Sequence, residues 1–321
     1  MSTTTSDIST TEPPNGFPHI YTNKSIHGTV EFDGVKFKTV FWVIPEGKEV
    51  KGRVLFIHGF SDYHQSYSKF YDLISQKGYE LYHFDQRGAG ETSPGDAKGI
   101  TNEYHVFRDL DHFIELNLKE LEQKPNKNTK LYLGGHSMGG GIALNYGVYG
   151  THRAKIAGIF CTGPLILLDS KTRPNFIKFS ILKLAMNIVP NMRIDTGLVS
   201  DYITSDDEWR EYLVSDPIIN PLLSSLRQGH DFIARGEKLV KKDHVAKFKK
   251  DLPVLVIHGA DDKINQPAGS EKFCQLAKQV GVEDVELKII KNARHTLFCE
   301  KPEIYEETEN TILQWLDKHS Y

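Results

Sequence analysis

The chain is short of cysteine, of long apolar runs and of excess positive charge, and each shortage excludes something. Three cysteines, Cys161, Cys274 and Cys299, stand far apart among 321 residues. That count and spacing fit neither a disulfide framework nor a cysteine-based zinc site, so a reduced, cytoplasmic protein is expected. No stretch approaches the ~20 apolar residues needed to span a bilayer. The first residues lack the apolar core of a signal peptide. Any membrane contact is therefore expected to be peripheral. Basic residues number 39 against 42 acidic ones, a net charge of −3, which leaves no electrostatic footprint for nucleic acid. No protein partner is implied.

What is present is an alternation. Hydrophobic residues make up 39% of the chain, enough for one large domain or a domain with an insertion. Residues 1–18 are rich in Ser and Thr, carry Pro13-Pro14 and are expected to form a loose tail. Val30 to Ile44 holds two strand-like runs split by Asp33-Gly34. Arg53 to Ile57 and Pro253 to Ile257 are continuous apolar runs, the pattern of buried parallel strands, and each ends in His-Gly. Further strands are expected at Tyr79–Phe84, Lys130–Leu133, Ile156–Thr162 and Val285–Ile290. Helices are expected at Ser66–Lys77, Asn102–Gln123, Ile142–Val148, Gly269–Val280 and Pro302–His319. Strands alternating with helices predict an α/β fold with a mostly parallel central sheet and helices on both faces. Between Pro174 and Lys242 the alternation stops, and helical segments without an obvious strand predict a cap. The resulting division is a core in two parts, 19–164 and 251–321, with a helical cap at 165–250.

The most informative stretch is Leu131 to Gly141, Leu-Tyr-Leu-Gly-Gly-His-Ser-Met-Gly-Gly-Gly. A strand-prone run precedes it and a helix-prone run follows. A serine on so sharp a turn is forced into a strained conformation, and the residues two before and two after it must be small. Gly135 and Gly139 meet that need. The turn lifts the Ser137 hydroxyl above the sheet and aims helix N-terminal N–H groups at whatever it attacks.

Gly135-His136-Ser137-Met138-Gly139-Gly140 resembles the nucleophile elbow of the α/β-hydrolases, and among them that of the monoacylglycerol lipases. Phe84-Asp85-Gln86-Arg87-Gly88-Ala89-Gly90 and Tyr104-His105-Val106-Phe107-Arg108-Asp109 are similar to further signatures of that family. The resemblance runs from about Val30 to the C-terminus and implies an α/β-hydrolase fold and a serine esterase. A serine needs a base, and the base needs a third group to fix its tautomer. Of fourteen histidines, His295 follows the last strand, where the chain order Ser, Asp, His would place the base. His105, His112 and His230 read as surface or packing residues, and His58, His136 and His258 as structural ones. The acid should follow strand Val254–Ile257, where Asp261 and Asp262 compete. The family pattern selects Asp262, with Asp261 as runner-up.

The same resemblance implies oxyanion donors at the backbone N–H groups of Phe60 and Met138. It also implies a role for Asp62 in holding the glycerol end of a substrate, although Asp62 is one methylene shorter than the usual glutamate. Asn265 stands where mammalian relatives carry a cysteine beside the acid, so thiol sensitivity does not carry over, and Cys299 reads as buried. The implied reaction is hydrolysis of a monoacylglycerol without metal or cofactor. Another single-chain lipid ester such as a lysophospholipid is the alternative substrate, and a non-catalytic binding shell the remote one. Residues 176–189 are mostly apolar and too short to span a bilayer. They are expected to form a cap helix, buried on both sides or with one flank on a membrane or lipid-droplet surface, with Lys178, Lys183, Arg173 and Arg193 near head groups.

Overall fold

The computed structural model describes residues 4–10, 12–124, 129–173, 180 and 184–320. A nine-stranded sheet runs in the order β1-β2-β3-β5-β4-β6-β7-β10-β11. Its strands are β1 (Thr4–Thr10), β2 (Ser25–Phe32), β3 (Val35–Trp42), β4 (Gly52–Ile57), β5 (Tyr79–Phe84), β6 (Lys130–His136), β7 (Gly158–Thr162), β10 (Val254–Gly259) and β11 (Val285–Ile290). The first three pair antiparallel, and β3 also meets β5 antiparallel. From β5 to β11 every pairing is parallel.

The period of two along each strand divides the core. Leu55, Ile57, Leu133 and Val256 point to one face, where they meet Leu110 and Phe113 of α2 (Glu103–Glu122), Ile142 of α3 (Met138–Tyr149) and Phe273 of α7 (Pro267–Gln279). Val54, Phe56, Tyr132 and Ile257 point to the other, against Phe70 and Ile74 of α1 (Ser68–Ser75) and Ile312 and Trp315 of α8 (Pro302–Ser320). Each such side chain contributes about 1.5–3 kcal/mol by leaving water. Covering on both faces is why these strands read as unbroken apolar runs. Register then levels the strand ends: Ile57 pairs with Gly135, and Thr162 pairs with both His136 and Ile257. The loops after β4, β6, β7 and β10 therefore start side by side at one edge of the sheet.

The cap lies between β7 and β10. It contains α4 (Asp207–Ser215), α5 (Leu226–Lys238), the short α6 (Lys242–Val245) and a two-stranded ribbon of β8 (Arg193–Asp195) and β9 (Leu223–Ser225). The ribbon corrects the expectation of a cap without strands; two three-residue strands are too short to show a period. Half of the helix expected over 176–189 lies outside the described residues; Ser180 and residues 184–186 are helical, whereas 187–189 are not. Arg173 and Arg193 are engaged within the protein, with Glu237 and Asp96 respectively. The tail also differs from expectation. Thr4–Thr10 forms an edge strand on β2, because a run rich in β-branched Thr can extend a sheet without supplying a core. Phe17 is buried against Trp209 and Tyr212 of α4, with ring centroids at 5.2 and 5.3 Å, so the segment before β2 straps the cap to the core.

Candidate active site

Ser137 is the residue between β6 and α3, and its backbone is held at φ 52°, ψ −117°. Few non-glycine residues adopt that conformation, and none does so without support. The support is close packing. A Cβ on Gly139 would fall 2.1 Å from the Ile57 carbonyl oxygen, and one on Gly135 2.6 Å from the Gly139 carbonyl oxygen. Ser137 N–H donates to the Thr162 carbonyl, and its own carbonyl accepts from Gly141 and Leu165. The turn is thus locked between β4, β7 and the helix it opens.

Three side chains from three strand ends meet here. His295 Nε2 lies 2.9 Å from Ser137 Oγ, and His295 Nδ1 lies 2.7 Å from Asp262 Oδ2. Burial would raise the Asp262 carboxyl, but the charge of His295 and hydrogen bonds from His258 and His295 hold it well below the usual carboxylate range. An ionised carboxylate only accepts, so Nδ1 of His295 carries the proton and Nε2 is free to accept from the serine hydroxyl. Ile264 and Asn265 N–H groups donate to the other oxygen, Asp262 Oδ1. Asp261 is exposed, whereas Asp262 is buried, so geometry separates the two candidates that sequence left adjacent.

The structural histidines have fixed tautomers. His58 Nδ1 donates to the Gly59 carbonyl while Nε2 accepts from Gln86 N–H, and burial beside His83 lowers its pKa to about 3. His258 Nε2 donates to both Asp262 Oδ2 and the Asn265 carbonyl. His136 gives its Nδ1 proton to the Thr162 carbonyl, and burial beside His295 keeps it neutral. His112 stacks on Phe32 at 3.9 Å. His230 departs from the expected surface or packing role: it lines the cavity above Ser137. The signal was present, since Leu226, Gly229, His230 and Ile233 recur at one helical face of α5.

That cavity holds about 380 Å³ and opens over Ser137 and His295. Phe60 borders it from the core, and Leu165, Ile194, Leu213, Ile219 and Phe232 from the segment between β7 and β10. Among the described residues, the N–H groups of Phe60 and Met138 find no protein acceptor; Met138 directly follows Ser137, and Phe60 follows Gly59, on which a Cβ would lie 3.3 Å from that of Ser137. Asp62 lines the cavity as well. Its Oδ2 accepts from Tyr67 Oη at 2.5 Å, and Tyr67 Oη accepts in turn from Gly59 N–H at 3.0 Å. Burial raises the Asp62 carboxyl to about 6, against the opposing Tyr67 hydrogen bond and His295. Tyr67, which ties Asp62 to the turn after β4, carries no sequence signal: it sits on the buried face of a short helical segment among other aromatics. Cys299 is fully buried.

A serine on a strained strand-to-helix turn, joined to histidine and aspartate across the ends of a mostly parallel sheet, defines a serine hydrolase of the α/β-hydrolase class. The family model described as serine aminopeptidase, S33, matches residues 48–302. The chain belongs to the monoacylglycerol lipase family within that class. It is 48% identical over 294 residues to the monoglyceride lipase of Saccharomyces cerevisiae, covering 90% of this chain and 92% of that protein. The crystal structure of a soluble variant of that yeast lipase with a substrate analog superimposes with a TM-score of 0.86 at 47% identity, over 91% of this chain and 95% of the other. The monoacylglycerol lipase of Paleococcus ferrophilus aligns with a TM-score of 0.73 at 25% identity, over 88% and 99% of the two chains.

Proposed function

We propose that the chain is a carboxylic ester hydrolase that cleaves monoacylglycerols to glycerol and free fatty acid. The observation that carries this reading is a Ser137–His295–Asp262 relay opening into a largely apolar cavity. The substrate named for its relatives supports it. His295 Nε2 takes the Ser137 proton as Oγ attacks the ester carbonyl. The charge that develops on the carbonyl oxygen is met by the N–H groups of Phe60 and Met138. His295 then protonates the departing glycerol oxygen, leaving the acyl group on Ser137. Water enters, gives its proton to His295 and attacks the acyl carbon; the fatty acid leaves as Oγ regains its proton. Asp262 remains ionised throughout. Asp62 accepts a hydrogen bond from the glycerol end. These steps use protein groups and water alone.

The substrate resides in membranes and droplets, and we place the protein on their cytoplasmic surface as a peripheral enzyme. No helix among the described residues is long and apolar enough to cross a membrane. The large apolar side chains left exposed lie mostly in the cap, including Leu184, Ile188, Val189 and Met192. Such a patch suits a lipid surface. The deciding experiment is turnover of glyceryl monooleate against lysophosphatidylcholine, with Ser137→Ala as control. Monooleate should be preferred, and Ser137→Ala should lose about 10⁶-fold in activity while remaining folded. Preference for the lysophospholipid would move the substrate to the second class, and full activity in Ser137→Ala would remove the nucleophile assignment.

A further inference from the structure

The turn that carries Phe60 is fastened at both ends, and one fastening comes from the cap. Gly59 N–H is held by Tyr67. Two residues on, Ser61 is 3% exposed and sits at φ 61°, a left-handed conformation uncommon for serine. Its hydroxyl donates to the Ile219 carbonyl at 2.7 Å. The same carbonyl accepts from the Lys98 ammonium at 2.5 Å, which also donates to the Ile218 carbonyl at 2.8 Å. Tyr63 Oη donates to Asp216 Oδ2 at 2.8 Å. Asp216 Oδ1 in turn accepts from Ile218 N–H, and the Asn220 amide donates to the Leu213 carbonyl at the end of α4. Residues 216–220 thus form a braced cap turn, bound to Ser61 and Tyr63 on either side of Asp62, while Ile219 and Asn220 line the cavity.

We propose that Ser61 is a positioning residue, and that the cap turn 216–220 acts through it as a strut setting the Phe60 N–H against the reacting carbonyl. This rests on the serine-hydrolase reading above. Ser61 touches neither the ester nor the relay. A hydroxyl and an ammonium converging on one carbonyl fix the turn in two directions, as a single hydrogen bond would not. Oxyanion donors act through placement, and a shift far smaller than a bond length is felt in the transition state more than in the bound substrate. The strut therefore governs kcat, whereas a cap that only shaped the cavity would govern KM.

The test uses the full chain with a soluble short-chain ester. Ser61→Ala removes the hydroxyl; Ser61→Gly removes it while relieving the left-handed backbone. Both should lower kcat about tenfold to a hundredfold. KM should stay within about twofold of wild type. The rate of Ser137 labelling by a fluorophosphonate should fall in parallel, because that attack also builds charge on an oxygen in the same place. Lys98→Met loosens the same carbonyl from its other side and should show the same split, which keeps the test intact if the Ser61 variants fold poorly. Wild-type kcat in Ser61→Gly, or a raised KM at unchanged kcat, would overturn the strut while leaving the hydrolase reading in place. A wild-type chain that Ser137-directed reagents do not label would overturn both.

Discussion

At the scale of single residues, the relay is decided by which carboxylate is buried. Asp262 receives four hydrogen bonds, two from backbone N–H groups and two from imidazoles. Asp261 points to solvent. Asp262→Asn is expected to cost roughly 10⁴ in kcat by favouring the wrong His295 tautomer. Asp261→Asn should be near neutral, and equal losses in the two variants would reverse the assignment. Asp62 gives a pH dependence. Burial raises its carboxyl to about 6, so as pH falls through that value the ionised acceptor that the proposed glycerol contact requires disappears. KM for a monoacylglycerol should rise below that point in the wild type and stay flat in Asp62→Asn. The stability sign runs the other way. A carboxyl raised on folding favours the native state at low pH, and that advantage is lost as pH rises from about 4, the unfolded value, to about 6. Thermal unfolding at neutral pH should thus show Asp62→Asn to be at least as stable as wild type, with the difference shrinking in acid.

At the scale of elements, the elbow leaves no slack. Adding a methyl to Gly139 meets two backbone carbonyls of β4 and the turn after it, those of Ile57 and His58, and backbone cannot swing aside as a side chain can. Gly139→Ala should lower stability by about 3 kcal/mol or more, read from urea unfolding, and should abolish esterase activity in whatever folds. This element was legible in sequence because its constraint is local: strand, turn and helix are consecutive, and the glycines stand at fixed offsets. The buried strands were legible for the same reason, since double-sided burial leaves an unbroken apolar run. The parts that were not legible depend on distant partners. β8 and β9 are three residues each and exist because they pair. β1 is a polar edge. Ser61, Tyr67 and Lys98 look like ordinary loop and helix residues until residues more than a hundred positions away come to rest on two of them.

At the scale of the whole molecule, charge is close to balanced, so the lipid contact proposed above would rest on apolar area more than on net charge. Arg173 and Arg193 are already paired within the protein. Ile188 and Met192 expose 76% and 45% of their surface, and each would contribute on the order of 1–2 kcal/mol on insertion. The double variant Ile188→Glu/Met192→Glu should lose co-sedimentation with monooleate-containing vesicles while hydrolysing a soluble short-chain ester at the wild-type rate. Undiminished sedimentation would overturn the proposed lipid contact of this segment.

The separation of Ser137 from His295 along the chain also sets a clock. The two touch across 158 positions of sequence, with the whole cap and three parallel strands between them. A ribosome adding about 5–20 residues per second delivers the serine roughly ten to thirty seconds before its base. Through that interval the nascent chain exposes a hydroxyl without the base that takes its proton in the folded site. The nucleophile stays inert until the last strand and the loop after it have cleared the exit tunnel. Nascent chains captured at successive lengths should react with fluorophosphonate only once His295 is outside.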